Sequence, residues 1–112
     1  MTKWKRRWVP MADKVLSLLG LCRRAGKLEG GFDMCALAAR HGEAKLLLAA
    51  VDISEKTYKN LRFEAERAGI PCARAEALMA ELGKACGLRA GVLAVTDEGF
   101  AKALLELGLK RL

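Results

Sequence analysis

Two adjacent glycines, Gly30 and Gly31, follow a short stretch with strand character, Lys27 to Glu29, and precede a helical one that opens at Phe32. A Gly-Gly turn in that place lets another backbone come close. It also leaves the first N–H groups of the helix free to face a phosphate. No G-K-[ST] follows, so this is not a P-loop, and no third glycine completes a dinucleotide fingerprint. Arg23, Arg24 and Lys27 lie just ahead of the turn. Cations beside a helix N-terminus make a phosphate site that needs no base reading, so the sequence predicts that this cluster and the amide end of the helix lie together.

Other chemistries find little support. His41 is the single histidine and stands beside Gly42 at an expected helix end, with no serine or acid at a recognisable triad position. Asp97 and Glu98 are adjacent carboxylates, but as helix N-cap and first-turn residue they need no active site. Cys22, Cys35, Cys72 and Cys86 contain no C-x-x-C pair, and each has apolar neighbours. They read as small buried hydrophobes of a reducing cytoplasm, not as metal ligands or disulfides. No metal, no other cofactor, no small-molecule substrate and no enzymatic activity are expected.

Regular elements must position these residues. Met11, Val15, Leu18, Leu19 and Cys22 mark one face of a first helix that Gly26 can stop. The basic residues ahead of it imitate a secretion signal. However, Asp13 and Lys14 interrupt the pattern, Leu21 is not a small cleavage-site residue, and Arg23-Arg24 follow at once, so an amphipathic helix is the better reading. The second helix runs from Phe32 to about Arg40. The continuous apolar run Leu46 to Val51 suits a buried central strand. No strictly apolar run is longer, so none approaches the ~20 residues of a membrane helix. Ser54 can cap a third helix with Tyr58, Leu61, Ala65 and Ala68 on its core face, ended by Gly69. A strand over Ile70 to Ala73, a helix marked by Leu78, Leu82 and Ala85 and ended by Gly87, a strand over Gly91 to Val95, and a final helix capped by Asp97 complete the alternation. Helices and strands alternating in this way predict a three-layer α/β/α sandwich.

The chain has 112 residues, 53% hydrophobic and 29% charged, which suits one domain with one core. Its net charge of +7 points to an acidic partner, nucleic acid first. Four of those seven charges come from Lys3, Lys5, Arg6 and Arg7, with Trp4 and Trp8 among them. Residues 1–10 thus read as a flexible basic arm able to touch phosphates and stack on bases, and residues 11–112 as the single domain.

Four stretches in order carry a family resemblance: KVLSLLGLCRRAGKLEGG, GEAKLLLAAVDISEKTYKNL, ELGKACGL and VTDEGFAKAL. They resemble the YlxQ-type bacterial proteins of the kink-turn RNA-binding family of ribosomal proteins, the L-seven-Ae and L-thirty-e group, from about Lys14 to Leu104. The resemblance implies a four-stranded mixed sheet between helices, no catalysis, and RNA held by the turn before the second helix, the start of that helix and the loop before the last strand. Carried over by position, Lys27, Gly30 and Gly31 match the turn, and Phe32, Asp33, Met34 and Leu37 the helix start. Asp52, Ile53 and Ser54 match the segment after the central strand. Gly87, Leu88, Arg89 and Ala90 match the second RNA-facing loop. Where archaeal relatives carry Asn-Glu and then a Lys, this chain has Asp33, Met34 and Leu37; an ionised aspartate only accepts hydrogen bonds, whereas asparagine also donates. The implied protein is a cytoplasmic monomer that binds structured RNA, ribosomal RNA among the candidates, and has no membrane role. The alternative is a protein-interaction adaptor that keeps the fold without strict kink-turn recognition.

Overall fold

The structure, a computed structural model, describes residues 11–75, 77–87, 90–107 and 110–111. In chain order its elements are α1 (Met11–Arg24), β1 (Leu28–Gly30), α2 (Phe32–Arg40), β2 (Leu46–Ala49), α3 (Glu55–Ala68), β3 (Cys72–Arg74), α4 (Met79–Cys86), β4 (Val92–Val95), α5 (Glu98–Glu106) and β5 (Lys110–Arg111). The basic arm, Leu88 and Arg89 lie outside the described residues.

Alternation along the strands builds the layers. Side chains of a strand point to opposite faces. Leu46, Leu48, Leu93 and Val95 therefore join one core with Val15, Leu19, Cys22, Leu82 and Leu104, under α1, α4 and α5. Leu47, Ala49, Val92 and Ala94 join the other with Cys35, Ala38, Tyr58, Leu61 and Ala65, under α2 and α3. Burial on both faces is why β2 reads as a continuous apolar run. The strand order is β1-β4-β2-β3-β5. β4 pairs antiparallel with both β1 and β2, and β2 pairs parallel with β3. The expected four-stranded mixed sheet is present. Beyond it, β5 adds two residues antiparallel to β3; two residues are too few to carry a period-2 pattern.

Local signals act as their chemistry predicts. Ser54 Oγ accepts from the Thr57 N–H at 3.1 Å, and Asp97 Oδ2 from the Phe100 N–H at 2.9 Å. α1 is amphipathic, with Val15, Leu19 and Cys22 buried and Ser17, Leu21, Arg23 and Arg24 exposed. Among the described residues no helix is long and apolar enough to cross a membrane. All four cysteines are buried and free. Burial pushes the Cys35 thiol up to about 12, and those of Cys22 and Cys72 up to about 11.

Candidate nucleic-acid interface

The sheet gathers four connections at one end. The Gly31 N–H donates to the Val92 carbonyl at 3.1 Å, which fixes the β1–α2 turn against the start of β4. The Ala50 N–H donates to the Gly91 carbonyl at 2.8 Å, joining the β2–α3 and α4–β4 loops. The Val51 N–H donates to the Ala77 carbonyl at 2.9 Å, which adds the β3–α4 connection. This clustering follows from topology, because β1, β2 and β3 all end where β4 begins.

Gly31 is the N-cap of α2, with φ 95° and ψ 146° and no side-chain cap. That backbone conformation favours glycine. A Cβ built on Gly31 would meet nothing within 4 Å, so the space above the turn is open. By contrast, α3 and α5 are capped by Ser54 and Asp97, and the first N–H of α4, on Met79, donates to Asp52 Oδ1 at 2.8 Å. The amide end of α2 thus remains available to an anion from outside.

The residues expected at this site divide into three groups. Gly30, Gly31, Asp33, Asp52 and Ile53 come together at the sheet end, and Gly87 closes α4 in the left-handed conformation at φ 73°. Asp33, Met34 and Leu37 are exposed on α2, the last two at 46% and 44%. Asp52 spends one carboxylate oxygen on capping α4, a role its sequence neighbours do not signal.

A second group faces inward. Phe32 is half-buried and packs against the α2–α3 core, so it anchors the helix start. Ala90 is buried in the other core and offers almost no surface to a ligand.

Lys27 forms the third group and corrects an expectation. Its carbonyl accepts from the Thr96 N–H at 2.9 Å and from the Cys22 thiol at 3.2 Å, at the end of β4 opposite to the one Gly31 meets. The three residues of β1 separate the two ends by about 10 Å. Arg23 and Arg24, in the last turn of α1, precede Lys27 at that far end. The basic cluster is near the helix start in sequence but not in space, because an extended strand carries its two ends apart.

Gly91 was not among the expected residues, and the structure gives it a decisive place. A Cβ there would stand 2.6 Å from Ile53 Cγ2. The absence of a side chain at Gly91 lets the two loops approach. Nothing in the local sequence distinguishes this glycine from an ordinary strand start.

Among the described residues no group of His, Cys, Asp and Glu could hold a metal ion. The fold and the sheet end define a small α/β/α protein distinguished by a backbone-lined loop cluster. Residues 13–105 match the Ribosomal protein L7Ae/L30e/S12e/Gadd45 family, and the chain belongs to it. It is 38% identical over 91 residues to the RNA-binding protein YlxQ of Bacillus subtilis (strain 168), covering 80% of this chain and 90% of that protein. It is 34% identical over 95 residues to the RNA-binding protein YlxQ of Enterococcus faecium, covering 85% of this chain and 91% of that one. Among solved structures, a protein of unknown function from Bacillus halodurans superposes with a TM-score of 0.79 at 33% identity, covering 84% of this chain and 95% of that one. The Giardia lamblia 15.5kD RNA binding protein shares the fold with a TM-score of 0.69 at 18% identity, covering 87% of this chain and 83% of its own.

Proposed function

We propose that the chain is a non-catalytic RNA-binding protein that grips structured RNA at the sheet end, with a phosphate against the amide end of α2. The observation that carries this reading is Gly31: an uncapped helix start, a conformation that favours glycine, and open space above it. The net charge of +7 and the likeness to two RNA-binding YlxQ proteins support it. The finer reading is a cytoplasmic monomer working on or near the ribosome on kink-turn-like RNA, ribosomal RNA included; the family description supports the ribosomal part.

The test is titration of an RNA carrying tandem G·A pairs. At φ 95° any side chain is strained, so Gly31→Ala serves as the reference for strain. Gly31→Glu adds a negative charge and should bind at least about tenfold more weakly than Gly31→Ala, or 1.4 kcal/mol. Asp33→Asn removes a repelling charge and adds a donor, so it should bind more tightly. If all three bind as the unaltered protein does, no RNA docks here. The exposed pair Met34 and Leu37 favours a second reading in that event, a protein-interaction adaptor.

A further inference from the structure

The outward face of α3 carries features that the sheet-end site does not use. Lys56, Lys59 and Arg62 rim a cavity of about 390 Å³ with Tyr58 among its lining residues. Tyr58 is 4% exposed. Its hydroxyl has no hydrogen-bond partner among the described residues. Behind the ring, the Arg74 guanidinium stacks at 4.1 Å from its centroid. Arg74 Nε and Nη2, the two nitrogens of one fork edge, are buried without a hydrogen-bond partner. The nearest carboxylate, Glu55 Oε1, stands 3.6 Å from Nη2 on a side chain that is 87% exposed. One turn further along α3, Phe63 is 56% exposed with the Arg67 guanidinium 5.6 Å from its ring centre.

We propose that this face is a second RNA-contacting surface, whose cations follow backbone phosphates while Phe63 stacks on an unpaired base. Exposed cations interleaved with an exposed aromatic ring are what single-stranded RNA selects. The face carries four exposed cations, Lys56, Lys59, Arg62 and Arg67, against two exposed carboxylates, Glu55 and Glu66. Glu64 is already held by Arg40, 2.9 Å away. Lys56, Lys59 and Arg67 have no carboxylate within 4 Å among the described residues. α3 begins at Glu55, two residues after Ile53, so its face continues from the sheet end. An RNA seated on Gly31 can therefore lay an unpaired flank along the helix. The inference rests on the sheet-end reading.

The test uses the full chain and two RNAs: the tandem G·A RNA alone, and the same RNA with single-stranded flanks. Phe63→Ala should weaken binding of the flanked RNA roughly fivefold or more and leave the unflanked RNA unchanged. Phe63→Tyr should restore it. Lys59→Ala should lower the salt slope by about 0.7 on the flanked RNA only. Equal loss on both RNAs, or no loss on the flanked one, overturns the proposal; the latter is also the outcome if a protein covers this face. Gly31→Glu is the control, expected to weaken both RNAs. If Gly31→Glu changes neither while Phe63→Ala weakens the flanked RNA, the sheet-end reading fails and the α3 surface stands.

Discussion

Replacing Gly91 by alanine tests the packing that holds the two site loops together. The new Cβ would stand 2.6 Å from Ile53 Cγ2 and 3.4 Å from Met79 Sδ. Carbon atoms in good contact are about 3.5–4.0 Å apart, so Cγ2 must retreat by roughly 1 Å. Gly91 is not among the positive-φ glycines, so the backbone accepts alanine and the whole cost is steric. Cγ2 is the branch methyl of a β-branched side chain that is stiff at χ1, and the loop backbone must move with it. Overpacking of this kind costs about 1–3 kcal/mol. In a domain of this size each kcal/mol lowers Tm by roughly 4–8 °C.

The assay is a double-mutant cycle followed by thermal or urea unfolding. Ile53→Ala alone should cost about 1–2 kcal/mol, less than a fully buried truncation because Ile53 is half-buried. In the double variant the alanine methyl at 91 enters space that Ile53 has vacated. The pair should then be more stable than the sum of the singles by about 1 kcal/mol. Strict additivity would refute the reasoning, since it would mean that Ile53 does not limit what position 91 can hold.

Two further predictions concern titration. The Arg40 guanidinium, bonded to Glu64 through Nε at 3.3 Å and Nη2 at 2.9 Å, holds the Glu64 carboxyl below the usual carboxylate range. A depressed folded value gives stability that is present above the unfolded value and is lost as pH falls through the folded one. Glu64→Gln should therefore be less stable than the unaltered protein at neutral pH, with the difference shrinking below about pH 4.5; a pH-independent gap in Tm would count against the pair. The raised thiols of Cys22, Cys35 and Cys72 should resist iodoacetamide at pH 8 in the native protein and react once it is unfolded, as read by mass spectrometry. Rapid labelling of the native protein would show that these thiols are reachable.

The elements legible in the sequence are those whose signals are local. Ser54 and Asp97 cap the helices they introduce, and Tyr58, Leu61 and Ala65 are buried at their helical spacing. The Gly30-Gly31 turn is legible for the same reason, since its chemistry lies in two adjacent residues. What escaped depends on contacts across the chain. Asp52 caps a helix 27 residues away. Gly91 matters because Ile53 is opposite it, and Ala90 is buried in a core assembled from elements distant in sequence. Lys27 shows the converse: it is close to Gly31 along the chain, but the intervening strand sets it at the opposite end of β4.

The site has a backbone half and a side-chain half, and they differ in how they can change. The backbone half consists of the Gly31 turn, the amides it exposes and the loop approach that Gly91 permits. It depends on glycines and on strand pairing, so it persists while the fold persists. The side-chain half, Asp33, Met34 and Leu37, lies on the exposed surface of α2, where substitution costs little stability. In the proposed function, phosphate gripping belongs to the first half and base reading to the second. In the proposed function, affinity for a bent or looped RNA backbone therefore comes from residues that the fold itself requires. On that reading, discrimination between RNAs rests on three exposed side chains, and Asp33→Asn probes that half by adding a donor while also relieving charge repulsion at the phosphate.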